Sequence, residues 1–194
     1  MVYWLLLAGY LLGSIPFGLI IAAFWRIDIR KYGSGNIGAT NVLRTLGIVP
    51  GSLVFTLDML KGTAVVVPAA HYFNDPLLTV SCGLAAVLGH TFPVFLRFRG
   101  GRGAATGLGV LLGVAPDLFV FAVLLFSLIV GLTRYVSLGS ILTTLAVAIA
   151  FFAFGRPWPY SSAAALISLI IILRHIPNIK RLLQGTESRL GEKK

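Results

Sequence analysis

Acidic residues are scarce, six Asp and Glu against sixteen Lys and Arg in 194 residues. Charged residues of both signs make up 11% of the chain, whereas a soluble domain carries about a quarter. Such a sequence cannot cover a water-exposed surface, which excludes an ordinary soluble domain. Cysteine is nearly absent. Cys82 stands alone, so no intramolecular disulfide can form and the redox compartment is left undetermined. No Cys/His cluster and no H-E-x-x-H helix occurs, and His71, His90 and His175 are scattered, so neither a metal nor another cofactor is expected. The G-x-S-x-G elbow of the α/β-hydrolases is also missing.

What the chain has in excess is apolar sequence, with 57% hydrophobic residues and a mean hydropathy of +0.93. Seven apolar stretches run over roughly 3–25, 48–72, 77–97, 104–116, 118–133, 139–155 and 161–176. At about 20 residues per span they leave about 54 residues, enough for loops only. The expectation is an all-α polytopic membrane protein with seven transmembrane helices, a single integral membrane domain over residues 1–194. The first stretch lacks a basic n-region and outruns a signal-peptide h-region, so it reads as a retained span. The fourth is about 13 residues, or about 20 Å of helix, short of the roughly 30 Å hydrocarbon core. It is expected to begin below the membrane surface.

A net charge of +10 suits nucleic-acid binding in a soluble protein. Here its distribution follows the positive-inside rule instead. With the N-terminus outside, the inward segments hold Arg26, Arg30, Lys31, Arg44, Arg97, Arg99, Arg102, Arg134, Arg174, Lys180, Arg181, Arg189, Lys193 and Lys194. Arg156 alone falls outside, and Lys61 lies within a span. The count predicts an outside N-terminus and a cytoplasmic C-terminus, with Asp75 and Asp117 marking short outer turns. Chemistry is expected on the inner face, and nucleic acid is not an expected partner.

Two glycine-rich loops stand on that face. "GSGNIG" (33–38) matches G-x-G-x-x-G formally, but no βαβ unit surrounds it and no Gly-Lys-Ser/Thr follows, so neither the dinucleotide nor the Walker reading applies. The physics of anion binding remains. Glycines let backbone N–H groups converge on an anion, and a helix start beyond them adds a positive dipole end. Ser34, Asn36, Thr40 and Asn41 add polar groups, and Arg44 a full charge. "FRGGRGAATG" (98–107) repeats the pattern with Arg99 and Arg102 ahead of the short fourth span. The bland readings are an ordinary turn and a loop whose arginines touch lipid headgroups.

"TLDMLKG" (56–62) sets Asp58 and Lys61 on one helix face at membrane depth, where charge is costly. Either they pair structurally or Lys61 reaches an anionic substrate. "TRYVSLGS" (133–140) offers Arg134, Ser137 and Ser140. "RHIPNIKRLLQGTESRL" (174–190) is amphipathic and reads either as a surface anchor or as part of the site. Gly9-x-x-x-Gly13 and Gly109-x-x-x-Gly113 have the small-residue spacing of close helix packing.

Taken in order, "GSGNIGATNVLRTLG", "DMLKG", "GHTFPVFLRFRGGRGAATG", "RYVSLGS" and "HIPNIKRLLQGTES" closely resemble the bacterial acyl-phosphate-dependent glycerol-3-phosphate acyltransferases, the PlsY family, nearly end to end. The resemblance implies a multi-pass enzyme of the bacterial cytoplasmic (inner) membrane whose active site faces the cytoplasm. It would acylate the C1 hydroxyl of sn-glycerol 3-phosphate from acyl phosphate, giving lysophosphatidic acid and phosphate, the first acylation of phospholipid synthesis. Ser34, Gly35, Asn36, Gly38 and Asn41 fall in the family's first motif, and Gly100, Gly101, Gly103 and Thr106 in its second. Arg134, Ser137 and Ser140 fall in the third, and His175, Asn178 and Glu187 in the C-terminal pattern. Arg102 departs from the family's usual Lys, trading a point charge for a planar fork. Arg44 and Lys61 complete the candidate phosphate and substrate ligands. His90 and His175 are candidate general bases, with the substrate's own phosphate as the favoured proton acceptor. The implied partners are the two phosphorylated substrates and the lipid bilayer, with contact to the soluble enzyme that makes acyl phosphate as a further expectation. The alternative from a different class is a transporter for phosphate esters, against which stand the nearly featureless outer loops and the lack of a half-to-half repeat.

Overall fold

The computed structural model describes residues 2–192; Lys193 and Lys194, counted above with the inward charges, lie outside the described residues. Among the described residues all regular structure is helical. Ten α-helices follow one another: α1 (Val2–Gly13), α2 (Phe17–Ala23), α3 (Ala39–Leu46), α4 (Ile48–Phe73), α5 (Pro76–Thr91), α6 (Ala104–Val114), α7 (Pro116–Thr133), α8 (Val136–Ala153), α9 (Trp158–Arg174) and α10 (Ile176–Leu183).

The apolar stretches become helices close to the expected bounds, and turn chemistry sets the ends. Asp75 caps α5 by accepting from the Leu77 and Leu78 amides at 2.9 and 3.2 Å. Pro76, Pro116 and Pro159 sit in first turns, where a missing N–H costs nothing. The first stretch is not one uninterrupted helix. Pro16 cannot donate to the ladder and disfavours helical geometry at Ile15, so the chain breaks between α1 and α2. The apolar run Tyr3–Ala23 is still long enough to cross a membrane.

Among the described residues five segments are long and apolar enough to span a bilayer, six if α9 and α10, bent by 56° at His175, are taken together. The α6 helix has 11 residues, about 16 Å, which matches the short fourth stretch. A stripe on α7, Leu124, Leu128 and Leu132, is 58–78% exposed. In water such a stripe would drive aggregation, whereas lipid is its natural solvent. The chain is an integral membrane protein.

Contacts run α4 to α6, α6 to α7, α7 to α8, α8 to α9, α9 to α5 and α5 back to α4, with α1 packed on α5. The small-residue spacings serve this packing. Gly109 lies against the Met59 carbonyl and Gly62 against the Thr106 carbonyl, so α4 and α6 meet backbone to backbone. Thr63 Oγ1 ties the pair by donating to the Gly109 carbonyl at 2.8 Å. Gly13 and Gly89 play the same part between α1 and α5. A cavity of about 710 Å³ opens between α3, α4, α6, α7, α8 and α9.

Candidate active site

The first glycine loop folds around one amide. Asn41, fully buried on α3, donates through Nδ2 toward the carbonyls of Ile29, Tyr32 and Asn36 at 3.2, 3.0 and 2.9 Å. Its Oδ1 accepts from the Ser34 amide at 2.9 Å. Gly33 and Gly35 hold φ of +55° and +70°, a region a side chain resists, and a Cβ on Gly33 would strike Asn41 Oδ1. The Gly38 amide is taken by Asn36 Oδ1 at 2.9 Å. The amides of Ser34, Gly35 and Gly38 are therefore already used. The uncapped start of α3 offers the amides of Ala39 and Thr40, which line the cavity with Ser34, Asn36 and Arg44.

The second loop is tied down on both edges. The Gly100 and Gly101 amides donate to the Thr91 and His90 carbonyls at 3.2 and 3.0 Å. Their carbonyls accept from Arg174 at 3.1 and 3.3 Å. A Cβ on Gly101 would overlap the His90 ring, and one on Gly100 the Pro93 side chain. Gly100 and Gly101 thus serve close packing beside the cavity, not an open amide cradle. Gly103, with φ of +85°, turns the chain into α6 without a side-chain cap, and Arg102, Gly103, Ala104 and Ala105 line the cavity.

Beneath that loop lies a buried charge cluster. Lys61 Nζ donates to Asp58 Oδ1 at 2.7 Å, to the Ile15 carbonyl at 3.2 Å, and meets His90 Nδ1 at 2.8 Å. The Phe17 ring lies 5.6 Å from the ammonium. Of the two roles left open for Lys61, the structural pair is the one the geometry fills: Asp58 and His90 reach the cavity wall and Lys61 sits behind them.

The chain beyond α10 folds back over the polar end of the cavity. Glu187 accepts from Ser137 Oγ at 2.8 Å, Asn178 Nδ2 at 2.7 Å and Arg181 Nε at 2.7 Å. Arg44 Nη2 donates to the Ser188 carbonyl at 2.8 Å, while its buried Nε has no partner. Arg134 holds the Leu190 carbonyl through Nε and Nη2 at 3.0 and 2.7 Å. Ser140 bonds back to the Val136 carbonyl at 3.0 Å. Asn178 shows why α10 is amphipathic in an unusual sense: the amide is buried and Leu183 is 85% exposed.

The electrostatics of this end are lopsided. Arg102 is half-buried and engages no hydrogen-bond or ion-pair partner among the described residues. Burial lowers its pKa to about 10; Glu187 opposes that shift, and Arg181, Arg44 and Arg174 add to it. His175 is buried, and its Nδ1 donates to the Ile171 carbonyl at 2.8 Å. Burial lowers its pKa to about 4, which leaves it neutral near pH 7.

Of the sequence candidates, Ser34, Asn36, Gly38, Asn41, Arg44, Arg102, Gly103, Ser137, Ser140, His175, Glu187 and His90 reach the cavity. Gly35, Lys61, Gly100, Gly101, Thr106, Arg134 and Asn178 stand behind it as supports. Arg174, Arg181 and the Ser188 carbonyl were missed. Both arginines were absorbed into the inward charge count, and the partners of Arg174 lie over 70 residues away in sequence.

From the arginine-lined end the cavity runs inward between Leu108, Phe119, Phe126, Val147 and Phe151. A cationic mouth on an apolar shaft suits an anionic molecule with a lipid tail. The glycerol-3-phosphate acyltransferase family model matches residues 3–185, and the chain belongs to that family. A glycerol-3-phosphate acyltransferase from Thermus thermophilus is 47% identical over 98% of this chain and 96% of its own. Another from Aquifex aeolicus is 46% identical over 96% and 97%. The crystal structure of PlsY (YgiH), an integral membrane glycerol 3-phosphate acyltransferase, in its glycerol 3-phosphate form superposes with a TM-score of 0.95 at 46% identity, covering 98% of this chain and 96% of that one. The lysophosphatidic acid form gives 0.92 at 45%, covering 98% and 95%.

Two outcomes follow from this geometry. An unpartnered guanidinium that meets a phosphate is worth about 1.5–3 kcal/mol, so Arg102→Ala should lower kcat/KM by about one to two orders of magnitude and Arg102→Lys should keep most activity. Steady-state kinetics checks this, and wild-type values in Arg102→Ala would assign the residue to lipid. Because burial pushes His175 down to about 4, its charge does not change near neutrality, and the pH profile should show no limb from it at about 6 to 7. A limb there that disappears in His175→Gln would make His175 the general base.

Proposed function

We propose that the protein transfers a fatty acyl group from acyl phosphate to the C1 hydroxyl of sn-glycerol 3-phosphate, releasing lysophosphatidic acid and inorganic phosphate. The observation that carries this reading is the single cavity that joins an uncompensated arginine cluster to an apolar shaft. It suits one substrate that is an anion with a long tail and a second that is a small anion. The solved relatives in glycerol 3-phosphate and lysophosphatidic acid forms support the acceptor and the product.

The donor's phosphate is assigned to Arg102 and the free amides at the start of α6, because the tail can then continue along Leu108 and Leu111 of the same helix. Glycerol 3-phosphate is assigned to Ser34, Asn36, Arg44 and the start of α3, with His175 and Glu187 facing its hydroxyls. The C1 oxygen attacks the acyl carbonyl carbon, the carbonyl–phosphate C–O bond breaks, and the proton leaves on the phosphate. Phosphate oxygens titrate at about 6 in phosphorylated side chains and suit that task. The protein contributes orientation and electrostatic stabilisation of developing charge.

The same reading places the enzyme in the bacterial inner membrane as seven spanning segments, formed by α1 with α2, and by α4, α5, α6, α7, α8 and α9. The N-terminus is outside and the cavity mouth is cytoplasmic. The lysine and arginine asymmetry supports this orientation. Cysteines introduced singly into a Cys82→Ser background should react with an impermeant reagent from outside at position 74 and not at 101 or 189. Outside labelling at either of the latter would invert the topology. Purified protein in detergent, given glycerol 3-phosphate and a long-chain acyl phosphate, should release phosphate and form lysophosphatidic acid, with acyl-CoA and acyl carrier protein inert. Turnover on acyl-CoA without turnover on acyl phosphate would overturn the donor assignment.

A further inference from the structure

Arg174 closes α9 and was read from sequence only as one more inward charge. Its guanidinium grips both the Gly100 and Gly101 carbonyls, at 3.1 and 3.3 Å, and stacks over the Phe92 ring at 5.4 Å. These contacts govern what the second loop can offer a ligand. A trans peptide points its C=O and N–H in opposite directions. In the Gly100–Gly101 peptide both edges are used, the carbonyl by Arg174 and the amide by the His90 carbonyl. In the next peptide the Gly101 carbonyl is held by Arg174, and the Arg102 amide on the opposite edge has no acceptor among the described residues.

The other face of the loop is fixed as well. Gly101 packs on the His90 ring, which Lys61 and Asp58 hold at 2.8 and 3.4 Å. The loop is caught between a buried ionic cluster below and a guanidinium clamp at its carbonyl edge. Arg102 leaves both its amide and its side chain without a partner among the described residues, and it is the arginine of this loop that lines the cavity.

We infer that Arg174 is a positioning residue for the acyl donor: by clamping the Gly100 and Gly101 carbonyls it aims the Arg102 N–H, and with it the Arg102 side chain, at the negative charge that develops as the acyl group is transferred. This rests on the reaction proposed above. A donor held ready for charge that appears only in the transition state lowers the barrier more than it tightens ground-state binding. A cation on the carbonyl side of the peptide also polarises the N–H on the other side. Two carbonyls side by side suit the planar fork of Arg; a Lys ammonium can carry the charge but not the geometry.

The test uses the full-length enzyme in detergent with acyl phosphate and glycerol 3-phosphate. Arg174→Gln should lower kcat by about ten- to a hundredfold while the KM for glycerol 3-phosphate stays within about threefold. Arg174→Lys should recover less than about half of the lost rate, since it keeps charge without the fork. Full rescue by Lys would reduce the role to electrostatics and overturn the clamp, as would an unchanged kcat or an equal loss in glycerol 3-phosphate binding in Arg174→Gln. Should Arg174→Gln fail to insert, Phe92→Leu, which removes the ring beneath the guanidinium, carries the test. It should lower kcat by about two- to fivefold, and wild-type kinetics would count against the clamp. A wild-type protein inactive on acyl phosphate would instead sink the proposed reaction, so the two failures are distinct.

Discussion

The constraint on which the site depends is charge imbalance at the polar end of the cavity. Around Arg102 act three further guanidinium groups, Arg44, Arg174 and Arg181, and one carboxylate, Glu187. A single carboxylate cannot balance four guanidinium groups, and partial burial removes the water that would otherwise screen them. The fold answers as far as it can with neutral acceptors. Arg174 uses the Gly100 and Gly101 carbonyls, Arg44 uses Ser188, and Arg181 takes Glu187 itself. Arg102 is left over. A group kept half-buried and unpaired is a standing cost to stability, one that an anionic ligand would offset.

The same imbalance explains why the chain end folds back. Residues 185–190 carry Glu187 and a run of carbonyls, which the arginines and Ser137 and Asn178 gather in. Gly185, at φ of +68°, permits the reversal after α10. The deeper Asp58–Lys61–His90 cluster follows the opposite rule. Its charges lie at membrane depth and are satisfied inside the protein, with the break at Pro16 bringing the Ile15 carbonyl within reach of Lys61. A satisfied cluster is stiff, and the catalytic-side loop rests on it through His90 and Gly101.

Much of this was legible in sequence because membrane solvation is a strong and simple selector. The seven apolar stretches became helical, the first split at Ile15–Pro16 and the third ending at Thr91 instead of near 97, and Gly13 and Gly109 met neighbouring backbones as small-residue motifs do. The break at Ile15–Pro16 was passed over because hydropathy does not register a missing N–H. The site was legible as a set of residue types on one face but not as a division of labour. Composition marks Gly100 and Arg102 alike as loop residues of an anion site. Only the three-dimensional paths of the carbonyls show that the first is packed against Pro93 and the second is free. Arg181 and Glu187 are six apart, a spacing with no helical meaning, and they meet only because the chain turns at Gly185.

The position of the histidines bears on how the reaction manages its proton. His90 Nδ1 accepts from the Lys61 ammonium at 2.8 Å, which leaves the neutral ring's proton on Nε2, so neither nitrogen offers a lone pair to a substrate hydroxyl. His175 has its Nδ1 committed to the Ile171 carbonyl, and its ordinary basicity is suppressed by burial among arginines. A neutral His175 can orient a hydroxyl but is a poor base near neutrality. Acyl phosphate, on the proposed reaction, needs little more. It is an activated mixed anhydride whose leaving group carries its own proton acceptor, and the arginines that bind it also favour its departure as an anion. An added base in this setting would have to be kept unprotonated beside four guanidinium groups, where a carboxylate would be captured as Glu187 is. On the proposed reaction, the phosphate is the group best placed to receive the proton.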